Sequence, residues 1–181
     1  MQMKALLLTR NNERITCMKP VFLCGFMGCG KSTAGKLLAK KLGCKFTDMD
    51  DYIVEKQGMS IPDMFAQKGE EFFRTAETEA VKELAGETGV IACGGGAMLK
   101  KINSEIANSS GIVVHIDISF ESCYDRIKDC KNRPIVMNNT KEQLNEIYNG
   151  RVPVYKEHSA FSVDGNGSPE EIAQRIYQLL G

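Results

Sequence analysis

The feature that most restricts the fold of this chain is the segment Gly25-Phe26-Met27-Gly28-Cys29-Gly30-Lys31-Ser32-Thr33. It matches the pattern G-x-x-x-x-G-K-[ST] of phosphate-binding loops. In such a loop the glycines let backbone N–H groups turn inward around phosphate oxygens, while Lys31 adds a charge between the outer phosphates. The Ser32 hydroxyl is placed to bind Mg²⁺. The loop also needs a strand before it and a helix after it, because the free N–H groups at the start of the helix complete the cradle.

The segments on both sides of this loop fit that requirement. Residues 21–24 are a short apolar run, typical of a buried parallel strand. Residues 31–42 repeat apolar side chains at helical spacing, and Gly43 is a helix stop. The alternative is a glycine-rich turn that caps an ordinary helix, and the strand–loop–helix context favours phosphate binding.

The rest of the chain alternates short apolar segments with helical patterns. Further strands are predicted at 45–47, 89–93, 112–116 and 160–163, and helices at 51–86 (broken near Gly58 and Gly69), 98–108, 120–130, 141–150 and 169–180. The polar stretch 131–140 predicts a loop. This alternation predicts one α/β domain with a parallel sheet over residues 19–181. Residues 1–18 form an N-terminal extension, for which a short strand, a frayed tail and the product of an early start codon all remain open.

Composition excludes several classes of protein. The 181 residues carry 23 basic and 23 acidic side chains, so non-specific binding to nucleic acid is not expected. The N-terminal apolar run is too short for a signal peptide, and no stretch is long enough to span a membrane. The seven cysteines form no C-x-x-C motif and have no zinc-like spacing to a histidine. We therefore expect reduced thiols, a cytoplasmic location and no structural metal site.

Two further segments carry candidate functional residues. Asp48 and Asp50 follow a predicted strand, and if that strand continued through both they would point to the same side. Carboxylates beside a phosphate loop suit a metal ion and a hydroxyl group, whereas the alternative is a solvated helix cap. The run 94–96 is three glycines after another strand, where open α/β sheets bind ligands, although a flexible turn has the same composition.

Several motifs in order resemble the shikimate kinase family. The loop is followed by Asp48-x-Asp50, then by Gly69-Glu70-Glu71-Phe72-Phe73-Arg74 with Glu77 three residues on, and by the three glycines. Arg126 and Arg133-Pro134 then stand seven residues apart, and Arg151-x-Pro153-x-Tyr155 follows. The resemblance covers about residues 20–180.

This resemblance implies a three-layer P-loop kinase fold with a central five-stranded parallel sheet. It further implies an acceptor-binding helical segment near 51–86 and a mobile lid near 131–145. The implied activity is ATP-dependent phosphorylation of the 3-hydroxyl of shikimate, with Mg²⁺ as cofactor. ATP and shikimate would be the partners of a monomeric enzyme, without nucleic acid or membrane.

The resemblance also implies roles for individual residues. The catalytic residues would be Lys31, Asp50 and Arg133. Nucleotide binding would involve Gly28, Cys29, Gly30, Lys31, Ser32, Thr33, Arg126, Arg133 and Pro169. Substrate binding would involve Asp50, Phe73, Arg74, Gly94, Gly95, Gly96 and Arg151, and the metal would be held by Ser32 and Asp48. Arg74 and Arg151 would grip a carboxylate, because an arginine can donate two parallel hydrogen bonds to one.

Some interpretations stay open on sequence alone. Phe65 and Phe73 line an acceptor pocket or belong to the core, and Cys29 is a reactive thiol or fills space. Glu77 is expected to support Arg74, and His115 to be structural. Other functions include a gluconate-type or nucleoside-monophosphate kinase of the same fold, and a nucleotide-binding module without catalysis. A nucleic-acid ATPase is disfavoured by the neutral charge and the few aromatic residues.

Overall fold

A central five-stranded sheet organises the structure, a computed structural model that describes residues 8–11, 14–17, 19–130 and 134–181. Its strands are β3 (Val21–Cys24), β4 (Phe46–Asp48), β5 (Val90–Ala92), β6 (Ile112–Asp117) and β7 (Phe161–Asp164). All neighbouring strands are parallel, in the order β4-β5-β3-β6-β7. The prediction of a five-stranded parallel sheet is confirmed, and because the order reverses beside β3, the loop after β3 lies where such sheets bind ligands.

Helices cover both faces of this sheet. They are α1 (Lys31–Leu42), α2 (Met49–Gln57), α3 (Ile61–Leu84), α4 (Lys101–Ser110), α5 (Phe120–Ile127), α6 (Pro134–Met137), α7 (Lys141–His158) and α8 (Pro169–Leu180). One layer contains α1 packed on α8, and the other contains α3, α4 and α7. All four residues of β3 are buried between these layers, which explains why that strand is a continuous apolar run.

The helical segment after β4 is broken where the sequence predicts. Gly58 ends α2, and Gly69 interrupts α3 with φ 83° and ψ 170°. The second part of α3 therefore begins at Glu70, so the G-E-x-x-F-R motif spans the break. No helix of the described residues is long and apolar enough to cross a membrane.

Two stretches near the C-terminus differ from the prediction. Helix α7 runs to His158, eight residues beyond the predicted end at residue 150, although Pro153 lies inside it. Pro153 is exposed, so the backbone carbonyl that it leaves without a helical partner can bind water. Residues Pro134–Met137, predicted as loop, form a short helix, since proline is well suited to a first helical turn.

The N-terminal extension contains a separate strand pair. Strands β1 (Leu8–Asn11) and β2 (Arg14–Cys17) pair antiparallel and do not join the main sheet. Of the three interpretations left open for residues 1–18, the structure therefore supports strand formation.

Candidate active site

The phosphate loop joins the end of β3 to the start of α1. The Lys31 ammonium Nζ donates to the carbonyl oxygens of Gly25 at 2.9 Å and Phe26 at 3.1 Å. These bonds hold the lysine over the loop. The open side of the loop faces a cavity of about 430 Å³ lined by Gly28, Gly30, Lys31, Ser32, Thr33, Asp48, Asp50, Asp51, Cys93, Gly94, Gly95 and Arg126.

Gly25 and Gly28 of the loop cannot be replaced without a clash, and Gly28 is the tighter of the two. Gly28 has φ +81°, and a Cβ at this position would lie 2.6 Å from the carbonyl oxygen of Cys123 and 2.8 Å from Cγ2 of Ile127. The loop is thus pressed against α5 at Gly28. Arg126 of the same helix donates from Nη1 to the Gly28 carbonyl at 3.0 Å, which fixes this corner of the loop.

Asp48 connects the phosphate loop to α2. Its Oδ2 accepts from the Ser32 hydroxyl at 2.6 Å, and its Oδ1 accepts from the backbone N–H of Asp50 at 3.1 Å. The strand does not continue to Asp50, because β4 ends at Asp48 and Asp50 lies in the first turn of α2, so the alternation of a strand does not apply to this pair. Asp48 therefore caps α2 and also contacts the loop, and both aspartates line the cavity that the phosphate loop faces.

A second cavity of about 590 Å³ lies beside the first. It is lined by Met27, Asp50, Ile61, Phe65, Glu70, Phe73, Arg74, Glu77, Gly94, Gly95, Gly96, Ile135 and Arg151. Asp50 and the glycines 94 and 95 line both cavities, so the two spaces meet at the Asp50 carboxylate. A group bound on the second side can thus approach a phosphate bound on the first.

Arg74 is held in the second cavity by acidic side chains. Its Nη1 donates to Oε2 of Glu77 at 2.6 Å, and its Nε and Nη2 donate to Oε1 of Glu70 at 3.1 and 3.0 Å. Burial raises the pKa of the Glu77 carboxyl, and the positive charge of Arg74 opposes that shift. The ion pair with Arg74 confirms the supporting contact predicted for Glu77.

The glycine run fits closely around these side chains. A Cβ on Gly94 would lie 2.5 Å from Oδ1 of Asp50, and a Cβ on Gly96 would lie 2.4 Å from Nη1 of Arg74. Larger residues would displace the carboxylate or the guanidinium. Gly94 and Gly96 therefore leave room for the observed positions of Asp50 and Arg74, which a flexible turn alone does not explain.

The family model described as shikimate kinase matches residues 27–181 of this chain, and this match decides the family. The chain belongs to the shikimate kinase family. A shikimate kinase of Geobacter sulfurreducens is 40% identical over 158 residues, which is 86% of this chain and 87% of the relative. As a member of this kinase family, the chain is an enzyme.

Solved structures agree with this assignment. A shikimate kinase from Acinetobacter baumannii in complex with shikimate has a TM-score of 0.85 and 37% identity, over 90% of this chain and 92% of its own. A gluconokinase from Sinorhizobium meliloti shares the fold alone, with a TM-score of 0.55 and 15% identity over 90% of this chain and 91% of its own.

Most residues implied by the shikimate kinase resemblance line one of the cavities. Pro169 lies with Gly30, Thr33 and Arg126 around a third, smaller cavity of about 310 Å³ next to the loop. Phe65 and Phe73 both line the second cavity, with Phe73 also packed into the core. Arg133 lies outside the described residues, so its role stays a prediction.

Cys29 belongs to the loop and is fully buried, and its sulfur lies 3.6 Å from Nζ of Lys31. Burial agrees with the space-filling interpretation of this thiol. Cys24, Cys29, Cys44, Cys93, Cys123 and Cys130 are free thiols.

Sequence reasoning missed the residues that hold the glycine run from behind. The fully buried Tyr155 of α7 donates its hydroxyl hydrogen bond to the Gly95 carbonyl, and its ring stacks on His115 at 5.5 Å. His158, one turn further, lies with Nδ1 2.8 Å from the Met98 carbonyl oxygen. The available signal was the spacing of Arg151, Tyr155 and His158, which is helical and places the three on one side of α7.

Proposed function

We propose that this chain transfers the γ-phosphoryl group of ATP to the 3-hydroxyl of shikimate, giving shikimate 3-phosphate and ADP. The observation that carries the proposal is the meeting of the phosphate-loop cavity and the arginine-lined cavity at Asp50. The related kinase solved with shikimate supports the choice of acceptor.

In this proposal, the phosphates of ATP bind the backbone N–H groups of the loop and Lys31. The N-terminus of α1 adds its free N–H groups and the positive end of its dipole. Arg126 and Pro169 border the small cavity beside Gly30, which suits the base of the nucleotide. Arg133 would reach the phosphates from the proposed lid, where its charge stabilises the transition state.

The residues beside the loop fit a magnesium ion. The Ser32 hydroxyl and the Asp48 carboxylate lie 2.6 Å apart, and oxygen donors of this kind suit a hard cation. Within the described residues no three His, Cys, Asp or Glu side chains form a metal cluster, which agrees with an ion that keeps water and phosphate ligands. Ser32 would bind the ion directly and Asp48 through water; the ion, when bound, neutralises phosphate charge.

The acceptor would lie in the second cavity with its carboxylate between Arg74 and Arg151. The glycines 94–96 approach its ring, and Phe73 covers an apolar face. Burial of Phe73 and of the Glu77 side chain fixes this wall, so Arg74 is presented from a rigid part of α3. A rigid wall aids catalysis because it holds the reacting hydroxyl at the shared border of the cavities.

Asp50 would orient the acceptor hydroxyl toward the γ-phosphorus. As the new oxygen–phosphorus bond forms, the bond from phosphorus to the ADP oxygen breaks, and the hydroxyl proton passes to Asp50 or through it to water. In a loose transition state this proton leaves late, so Asp50 contributes chiefly by positioning.

A coupled assay of ADP release tests the proposal. With MgATP, the wild-type chain should release ADP only when shikimate is present, and Asp50→Asn should lower kcat by about 100-fold or more. Asp63→Asn, the same change at an exposed aspartate that lines neither cavity, should behave as the wild type. ADP release that does not respond to shikimate, but does respond to gluconate or a nucleoside monophosphate, would refute the choice of acceptor.

A further inference from the structure

Glu70 occupies the part of Arg74 that is best suited to a substrate carboxylate. Guanidinium groups grip a planar carboxylate through two adjacent N–H groups on one edge. The edge formed by Nε and Nη2 already donates both of its hydrogen bonds to Oε1 of Glu70. On the other edge, Nη1 donates to Glu77 and lies against Gly96. The edge formed by Nε and Nη2 is therefore not available to a second carboxylate while Glu70 accepts from both atoms.

The net charge of the second cavity's lining also opposes the binding of a carboxylate. Its lining contains the acidic residues Asp50, Glu70 and Glu77 and the basic residues Arg74 and Arg151, among the side chains that the structure describes. An acceptor that carries a carboxylate would enter a lining with one more negative than positive charge. Removal of one acidic side chain from this group makes the lining neutral and lowers the electrostatic cost of binding an anion.

The exposed fractions of the Glu70 and Glu77 side chains show which of the two can move away from Arg74. The Glu77 side chain is 2% exposed and lies under Arg74, whereas the Glu70 side chain is 65% exposed. Loss of the buried partner would leave an uncompensated charge, but an exposed ion pair within one helix is weak. Glu70 also follows the break at Gly69, so it begins the second part of α3, where solvent is within reach of its carboxylate.

We propose that the Glu70 carboxylate competes with the acceptor carboxylate for Arg74. When the acceptor binds, the Glu70 side chain rotates away from Arg74 into solvent. This inference rests on the proposed function only in assigning Arg74 to the acceptor carboxylate. Displacement of the exposed pair costs about two- to fivefold in acceptor affinity. Glu70 thereby weakens the binding of any carboxylate by the same factor, whether or not it carries hydroxyl groups.

Glu70→Gln tests the competition, with Glu71→Gln as the matched control because Glu71 is exposed and does not line the cavity. The KM for shikimate should fall about two- to fivefold in Glu70→Gln, with an unchanged KM for ATP and no change of either constant in the control. Cyclohexanecarboxylate, which has a ring and a carboxylate but no hydroxyl groups, should inhibit Glu70→Gln more strongly than the wild type by the same factor.

Two results would overturn the competition. A raised KM for shikimate in Glu70→Gln would mean that Glu70 holds Arg74 or the acceptor in place, and an unchanged KM would mean that the ion pair has no effect on binding. Failure of the proposed function is a different result: no variant then turns over shikimate. In that case calorimetric binding of cyclohexanecarboxylate to the wild type and to Glu70→Gln still decides whether Glu70 competes for Arg74.

Discussion

Replacement of His115 by glutamine should make the stability of the protein less sensitive to acid. His115 lies in the middle of the sheet on β6, is 1% exposed, and has Nδ1 3.2 Å from the Ser162 hydroxyl. Burial lowers its pKa from 6.5 to about 4; the negative charge of Asp117 opposes this shift, and the positive charges of Lys156 and Lys31 add to it. The folded protein therefore keeps this imidazole neutral at pH values where the unfolded chain protonates it.

The size of the effect follows from these two pKa values. The unfolded chain binds the proton as the pH falls through 6.5, but the folded protein binds it only near pH 4. Stability contributed by neutral His115 is therefore present above pH 6.5 and is lost as the pH falls, at up to about 1.4 kcal/mol per pH unit. Between pH 7 and pH 5 the loss amounts to about 2 kcal/mol.

Urea denaturation of the wild type and His115→Gln between pH 8 and pH 5 measures this loss. At pH 8 the difference between the two proteins reports the packing cost of the substitution alone, because His115 is neutral in both states. On acidification the free energy of unfolding of the wild type should fall by about 2 kcal/mol more than that of the variant. Contributions of the other titratable groups occur in both proteins and cancel.

Parallel pH profiles for the two proteins would refute this reasoning. They would mean that His115 is protonated in the folded state, with Asp117 compensating fully for burial. A steeper profile for the variant would show that the sign is wrong.

Three further substitutions test the site. Arg151→Ala should raise the KM for shikimate by about 10- to 100-fold through loss of a charged hydrogen bond, and leave the KM for ATP nearly unchanged in steady-state kinetics. Tyr155→Phe removes the hydrogen bond to Gly95, so the free energy of unfolding should fall by about 1 kcal/mol, seen as a drop of roughly 2–4 °C in Tm. The KM for shikimate should also rise, and an unchanged Tm would contradict this. Ser32→Ala removes the hydroxyl that contacts Asp48, and a Mg²⁺ titration of activity should show a half-maximal concentration raised about tenfold or more; an unshifted titration would exclude Ser32 as a ligand.

Local signals explain which elements could be predicted from the sequence. The bounds of α1 were found because the phosphate loop requires a helix start at Lys31 and Gly43 provides its end. Helix α8 was found because Pro169 fits a first helical turn. Helix α7 extends beyond the predicted end, since a proline inside a helix is rare and the exposure that makes Pro153 tolerable is not visible in the sequence.

The same distinction applies to the site, where some residues have a local signal in the sequence and some contacts do not. The residues proposed to bind phosphate or carboxylate carry their own signals, in the form of charges and glycines at fixed spacing. The contacts of Tyr155 with Gly95 and of Asp48 with Ser32 join positions far apart in the chain, and nothing local in the sequence announces them. The competition at Arg74 likewise depends on the orientation of two side chains, which spacing alone does not specify.

The two neighbouring cavities share a border but differ in the rest of their linings. The phosphate-loop cavity adds residues of the loop, the start of α1 and Arg126 of α5, whereas the second cavity adds residues of α3, α6 and α7. A change of acceptor that keeps the shared residues Asp50, Gly94 and Gly95 would therefore fall mainly on side chains of α3 and α7. Protein engineers thus have a defined set of side chains to exchange, within the limit set by the residues that both cavities use.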